Sequence, residues 1–392
     1  MNEFFREYLD APTDRFGTDC IKWDHVDKIF GGEGLYPAWV ADMDFRTVPE
    51  VREALVERAG HAIYGYTDTS DGDKAAEIGW LKRRYGFECD PEWILYSPGV
   101  VDSLYFCVRA LTEPNDKIVI STPVYGPFFS AVKDNGRTLC ESPMRYENGR
   151  CALDLDNIES FFRGGAKMYI LCNPHNPVGR VWAREELQQL VDLANRYGVI
   201  VISDEIHSDF TLDGREHTRI LSLKDSDNCV MLTSATKSFN LAGLRQSSAI
   251  IRDKALREKV SAQINVCHAS SPNIFGAAAQ RAAYTYGDKW MDSVVEYIQE
   301  NRDYAVDRLR AELPMIGVYP QEATYLMWLD FTALGMTDDE IKQLLVKNAR
   351  VALNEGTFFG ELGKGHVRLN VGTQCRNVEE VLNRIIKAVK EL

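Results

Sequence analysis

No two cysteines in this sequence stand at CxxC spacing, although there are nine of them. Cys20, Cys89, Cys107, Cys140, Cys151, Cys172, Cys229, Cys267 and Cys375 are scattered and odd in number, which argues against a disulfide framework or a zinc site. They read as the reduced thiols of a cytoplasmic protein. Long apolar runs are missing as well. None approaches the roughly 18 residues of a membrane helix, and the opening MNEFFREYLD carries acids where a secretory signal would be apolar. Positive charge is also short: 45 Lys and Arg face 58 Asp and Glu, a formal charge of -13. Such a surface repels nucleic acid and anionic lipid, so no nucleic-acid or membrane partner is expected and a small molecule is the better candidate. Linkers, repeats and low-complexity tracts are absent too. Organisation must be read from periodicity and punctuation.

A chain of 392 residues, 45% apolar, exceeds the usual single-domain size and predicts two lobes. Thr47-Val-Pro-Glu50 places a Thr N-cap, a Glu three residues on and a Pro in the first turn, predicting a helix to about Ala59. Beyond it, short apolar runs alternate with amphipathic segments, as in βα units whose parallel strands are buried on both faces. The runs are Trp93 to Ser97, Lys117 to Thr122, Lys167 to Cys172, Val199 to Ser203 and Cys229 to Ser234. Arg184 to Tyr197 carries Leu187, Leu190, Val191 and Ala194 at helical spacing, with Gly198 as its stop. The expected fold is α/β, a mostly parallel central sheet with helices on both faces. After about residue 290 the texture changes: a helix (Val294 to Leu313), a strand (Tyr325 to Asp330), a helix opened by Thr337 and Glu340, two strand-like runs and a final helix. This predicts an arm over 1–45, a large domain over 46–290 and a smaller α+β domain over 291–392.

Unusual residues follow each predicted strand, and in open α/β sheets ligands sit beyond those carboxyl ends. Pro98-Gly99-Val100-Val101, Pro123-Val-Tyr125-Gly126, Asn173-Pro-His-Asn176-Pro-Val-Gly179, Asp204-Glu-Ile-His207 and Ser234-Ala-Thr-Lys237 come in that order. Each has an ordinary reading alone: Gly99 as turn geometry, Tyr125 as loop packing, Asn176-Pro as a turn, Asp204 as a cap. A nucleotide site would need GxxxxGK[ST], and no such segment exists. Five coincidences point to one shared site.

Ser234-Ala-Thr-Lys237-Ser-Phe-Asn-Leu-Ala-Gly-Leu-Arg245 resembles the lysine segment of fold-type I pyridoxal-5′-phosphate (PLP) enzymes, the class I/II aminotransferase superfamily. The resemblance spans nearly the whole chain, and 46–290 would be its PLP-binding domain. It implies that Lys237 holds PLP as a Schiff base and that Asp204 pairs with the pyridine nitrogen, the two catalytic residues. For the phosphate it implies the N–H groups of Gly99, Val100 and Val101 at a helix N-terminus, with Ser234 and Arg245. Tyr66, in Tyr64-Gly-Tyr66-Thr, would reach that phosphate from the neighbouring subunit, which implies a homodimer with shared active sites. Tyr125 would stack on the ring and Asn176 would bond its phenolic oxygen. His207 departs from the pattern, standing where many relatives carry Tyr, though an imidazole can donate a similar bond. Arg368, on one strand face with His366 and Asn370, would grip the substrate α-carboxylate in a bidentate pair.

Which bond breaks next is a finer matter. Trp39-Val-Ala-Asp42-Met-Asp44-Phe45, Tyr64-Gly-Tyr66-Thr, Asn173-Pro-His-Asn-Pro177 and Ser203-Asp-Glu-Ile-His207-Ser-Asp209 resemble the cystathionine β-lyase or C-S lyase branch. The first segment also has a plain reading, a buried apolar arm with two capping Asp residues. Branch membership implies α,β-elimination: Lys237 takes the α-proton of L-cystathionine or a related S-substituted cysteine, and a thiol, pyruvate and ammonia result. A class I/II aminotransferase is the alternative, and a racemase differs only in where the proton returns. Ser234-Ala-Thr-Lys237 also fits the S-x-x-K of serine acyl-enzymes, but Ser203-Asp204 continues with Glu205 and KTG is absent. A catalytically idle PLP fold acting through protein contacts is a further possibility.

Overall fold

A computed structural model describes residues 1, 3–147 and 149–392. Its centre is a seven-stranded sheet of β1 (Ile94–Ser97), β2 (Lys117–Thr122), β3 (Thr138–Pro143), β4 (Met168–Cys172), β5 (Ile200–Asp204), β6 (Cys229–Thr233) and β7 (Ser247–Ile251). The spatial order is β1-β7-β6-β5-β4-β2-β3, parallel at every pairing except the two made by β7. Successive side chains of a strand point to opposite faces, so the sheet feeds two cores. Val119, Tyr169, Leu171, Val201 and Met231 face one, closed by α2 (Arg184–Tyr197) through Leu187, Leu190 and Val191. Ile120, Met168, Ile170, Ile202 and Leu232 face the other, closed by α1 (Val100–Leu111) through Leu104 and Val108. This is the doubly covered, mostly parallel sheet that the apolar runs predict.

All five expected strands are present to within a residue at either end. Two others carry no apolar run to announce them. β7 reads Ser-Ser-Ala-Ile-Ile, and its buried hydroxyls bond to Ser97 at 2.8 Å and to Glu77 at 2.9 Å. β3 lies at the sheet edge and ends in Pro143. Gly198 closes α2 at φ 65°, a left-handed conformation that suits a residue without Cβ. Thr47, however, does not cap the helix after it. That helix is Pro49–Gly60, its cap position is Val48, and the Thr47 hydroxyl is buried without a hydrogen-bond partner.

Past the long helix Asp288–Glu312 the chain builds a second, antiparallel sheet of β8 (Gly317–Val318), β9 (Leu326–Asp330), β10 (Asn354–Glu355) and β11 (His366–Asn370), ordered β8-β9-β11-β10. Thr337 and Glu340 form the reciprocal cap expected for the helix Asp338–Gln343. The start of the chain folds onto this unit: Tyr36 and Pro37 pair in parallel with Val351 and Ala352, and Asn370 N–H donates to Ala38 O at 3.0 Å. No helix among the described residues is long and apolar enough to cross a membrane.

Candidate active site

One cleft of about 220 Å³ lies at the carboxyl ends of the parallel strands. The loop after β1 brings Gly99, Val100 and Val101, that after β2 brings Tyr125, and that after β4 brings Asn176. The end of β5 supplies Asp204 and His207, and the segment after β6 supplies Lys237 and Arg245. Three expected residues lie off the lining. Arg368 stands behind Asn176, while Ser234 is buried and its hydroxyl is engaged elsewhere. It donates to Gln246 O at 2.6 Å and accepts Thr236 N–H at 3.0 Å, so it caps α3 (Ala235–Ser238) and leaves Thr236 to face the cleft. Tyr66 is fully exposed and touches no part of this chain's cleft.

Lys237 sits in the single turn of α3, and its Nζ donates to Ala41 O at 2.5 Å. Burial pushes the amine down to about 8, helped by Arg368 and opposed by Asp42 and Asp204. About a tenth is therefore unprotonated at pH 7, far more than for an ordinary lysine, and this is the form that attacks a carbonyl or accepts a proton.

Asp204 and Glu205 are neighbours in opposite electrostatic settings. Burial would raise both. Around Glu205 it is overcome by His217 at 2.9 Å, Arg219 at 3.1 Å and Ile220 N–H at 2.9 Å, which hold its carboxyl below the usual range. Among the described residues the Asp204 carboxylate accepts only Ile206 N–H, at 3.1 Å, and burial pushes it up to about 7. A buried carboxylate with no cation in hydrogen-bond reach suits a cationic N–H brought by a ligand. His207 is driven down to about 3 by burial, with Lys237 and Arg368 adding to it, so it is neutral, and its Nδ1 is buried without a partner.

Arg368 belongs to β11 and is buried, donating to Asn176 Oδ1 at 3.1 Å, Trp39 O at 2.8 Å and Asn354 Oδ1 at 2.6 Å. None of these is a carboxylate, and Nε is buried without a partner among the described residues. Burial lowers its pKa to about 10. Such a guanidinium is prepared for an anion. At the other end of the cleft, the first-turn N–H groups of α1 have no intrahelical acceptor. A Cβ on Gly99 would meet the Asp102 carboxylate at 2.7 Å, so a side chain there would displace Asp102 from the cradle. Arg245 reaches the same place, held by Asp102 at 3.0 and 3.2 Å. An amine, a partnerless carboxylate, an aromatic ring and an anion cradle in one cleft fit PLP.

Sequence reasoning missed Ala41, Cys172 and Thr236 on the lining, and Tyr325, which donates to Ala41 O at 2.9 Å. The Ala41 carbonyl is held in place by the Trp39 to Phe45 segment. Asn240, three residues past Lys237, accepts Met43 N–H at 3.0 Å and donates to Met43 O and Phe45 O. Asn370 donates to Val40 O at 2.6 Å and Asp42 O at 2.7 Å. Asp42 and Asp44 are not caps: both pair with Arg15, and Asp44 also accepts Lys22 Nζ at 2.8 Å and Trp23 Nε1 at 2.9 Å.

Comparison with known proteins agrees with this geometry. The family model for aminotransferase class I and II matches residues 40–385. The cystathionine β-lyase PatB of Bacillus subtilis (strain 168) is 41% identical over 384 residues, 97% of this chain and 99% of that protein. Among solved structures, cystalysin from Treponema denticola, which contains a PLP cofactor, superimposes with a TM-score of 0.94 at 31% identity over 98% of each chain. The PLP-bound C-S lyase from Staphylococcus hominis gives 0.90 at 32% identity over 97% of each chain. With the family model covering most of its length, this chain belongs to the aminotransferase class I and II family.

Proposed function

We propose that this chain is a PLP-dependent C-S β-lyase that converts L-cystathionine or a related S-substituted cysteine, with water, to a thiol, pyruvate and ammonia. The observation that carries this is the pairing of a buried amine, Lys237, held on the Ala41 carbonyl, with a buried carboxylate, Asp204, that has no cation of its own. Bound PLP supplies an electron sink for the charge left at Cα when its proton departs. The remaining roles fall to the chain. Asp204 holds the cofactor's ring nitrogen, and Tyr125 packs on the ring. Asn176, its Oδ1 committed to Arg368, offers its NH₂ to the phenolic oxygen, and neutral His207 can donate there too. Gly99, Val100 and Val101 bind the phosphate through N–H groups, with Arg245 and Thr236 beside them and Ser234 bracing α3 behind.

Arg368 fixes the substrate α-carboxylate. Lys237 would hold the cofactor, and its amine is placed to carry the α-proton, a task that a pKa near 8 suits. Expulsion of the thiolate from Cβ rather than transamination is favoured by the Trp39 to Phe45 arm and by the full-length likeness to PatB. Residues 46–290 carry the cofactor, and 291–392 with the arm 1–45 form the smaller domain. The fully exposed Tyr66 supports a homodimer in which each subunit lends this ring to the other's phosphate, and nine free cysteines suit a cytoplasmic enzyme. Pyruvate release from cystathionine, set against glutamate-dependent transamination, tests the reading. Release without a 2-oxo-acid acceptor supports the lyase, and turnover only with an acceptor supports the aminotransferase.

A further inference from the structure

Fixing two groups of the substrate leaves one direction for the third. With the carboxylate on Arg368 and the amine at Lys237, the sulfur and its substituent must point to the open side of the cleft, because the thiol leaves to solvent. Phe358 is outside the lining itself but packs on the ring of Tyr125, which lines the cleft. It lies in the turn Gly356–Phe359, next to β11 in the smaller sheet. Its ring is 47% exposed, yet it is firmly seated, edge-on to Tyr125 at 6.0 Å and to Phe359 at 5.1 Å. Gly126 makes room for it: a Cβ there would meet the Phe358 ring at 2.8 Å. The turn is itself anchored to the site. Phe359 is fully buried, its ring lies 5.0 Å from the Arg368 guanidinium, and its carbonyl accepts Val124 N–H at 2.9 Å.

An exposed aromatic held this way, packed on Tyr125 while its chain neighbour Phe359 lies against Arg368, presents an apolar face beside the cleft to a sulfur substituent. We propose that Phe358 is a specificity residue, selecting cysteine thioethers whose sulfur carries a bulky alkyl or aryl group. The inference rests on the C-S lyase reading and adds the substrate class.

The test compares S-benzyl-L-cysteine with S-methyl-L-cysteine as substrates of the holoenzyme and of Phe358→Ala and Phe358→Leu, following pyruvate. Calorimetric binding of S-benzyl-α-methylcysteine, which has no α-proton to lose, gives a readout separate from turnover. In Phe358→Ala the ratio of kcat/KM for the benzyl over the methyl substrate falls about tenfold, through KM, as expected for one lost aromatic contact and its buried area. Kd for the analogue rises to match, and Phe358→Leu lies between. A benzyl-to-methyl ratio and a Kd within about twofold of wild type in Phe358→Ala overturn the proposal while leaving the lyase reading intact. Wild-type enzyme that releases no pyruvate from either thioether overturns the lyase reading and the specificity proposal with it.

Discussion

Asp204 and Glu205 show how much a single position decides: the same charge, one residue apart, is stabilised in one case and left costly in the other. With a folded pKa near 7 against 3.8 when exposed, Asp204 binds a proton more readily in the folded apoprotein, so stability falls as pH rises between about 4 and 7. Asp204→Asn removes that loss. The apoprotein variant should melt a few degrees above wild type at pH 8 and close to it at pH 4, by differential scanning calorimetry, while its Kd for PLP rises. If Arg368 holds the substrate carboxylate as proposed, Arg368→Gln deletes a charge-assisted pair of about 2 to 3 kcal/mol, so kcat/KM should fall roughly 30- to 150-fold in steady-state assays. That Lys237, Asp204 and Arg245 share one cleft was legible in the sequence, because side-chain type and spacing single them out. Ala41 was not, since it acts through a carbonyl that every residue has. Nor was the engagement of the Ser234 hydroxyl with Gln246, which depends on how β7 returns beside β6.

At the scale of elements, the arm is the piece whose physics differs from its first reading. Asp44 is buried, and burial would raise its carboxyl, but Lys22, Trp23 and Arg15, all in direct contact with it, hold it below the usual range. Asp44→Ala leaves the buried Lys22 only its longer pair with Asp42 at 3.5 Å, which should cost about 3 kcal/mol in urea unfolding. Asn240→Ala keeps the ions and cuts the tie between arm and lysine segment. It should lower kcat more than it lowers stability. Five strands and α2 were legible because each is a run bounded by turn residues. β7 was not, because its serines are satisfied by hydroxyl and carboxylate partners far away in sequence. The Thr47 cap failed for a related reason: its hydroxyl is buried, and the chain enters the helix one residue later, at Val48.

For the whole molecule, the sheet's two cores and the second unit bring residues from 41 to 368 to one cleft edge, while Tyr66 stays outside it. A shared-site dimer predicts complementation. In a mixture of Tyr66→Ala and Lys237→Ala chains, the heterodimer contains one site with both native groups, so activity should exceed that of either variant alone. Equal activity before and after subunit exchange would place Tyr66 with its own chain. The most direct measurement of the central claim is pyruvate formed from L-cystathionine by the purified holoenzyme, beside Lys237→Ala. Steady release of one thiol per pyruvate, with no oxo-acid acceptor and none from the variant, is the predicted result. Undiminished release by Lys237→Ala, or no release by wild type without an acceptor, would contradict it.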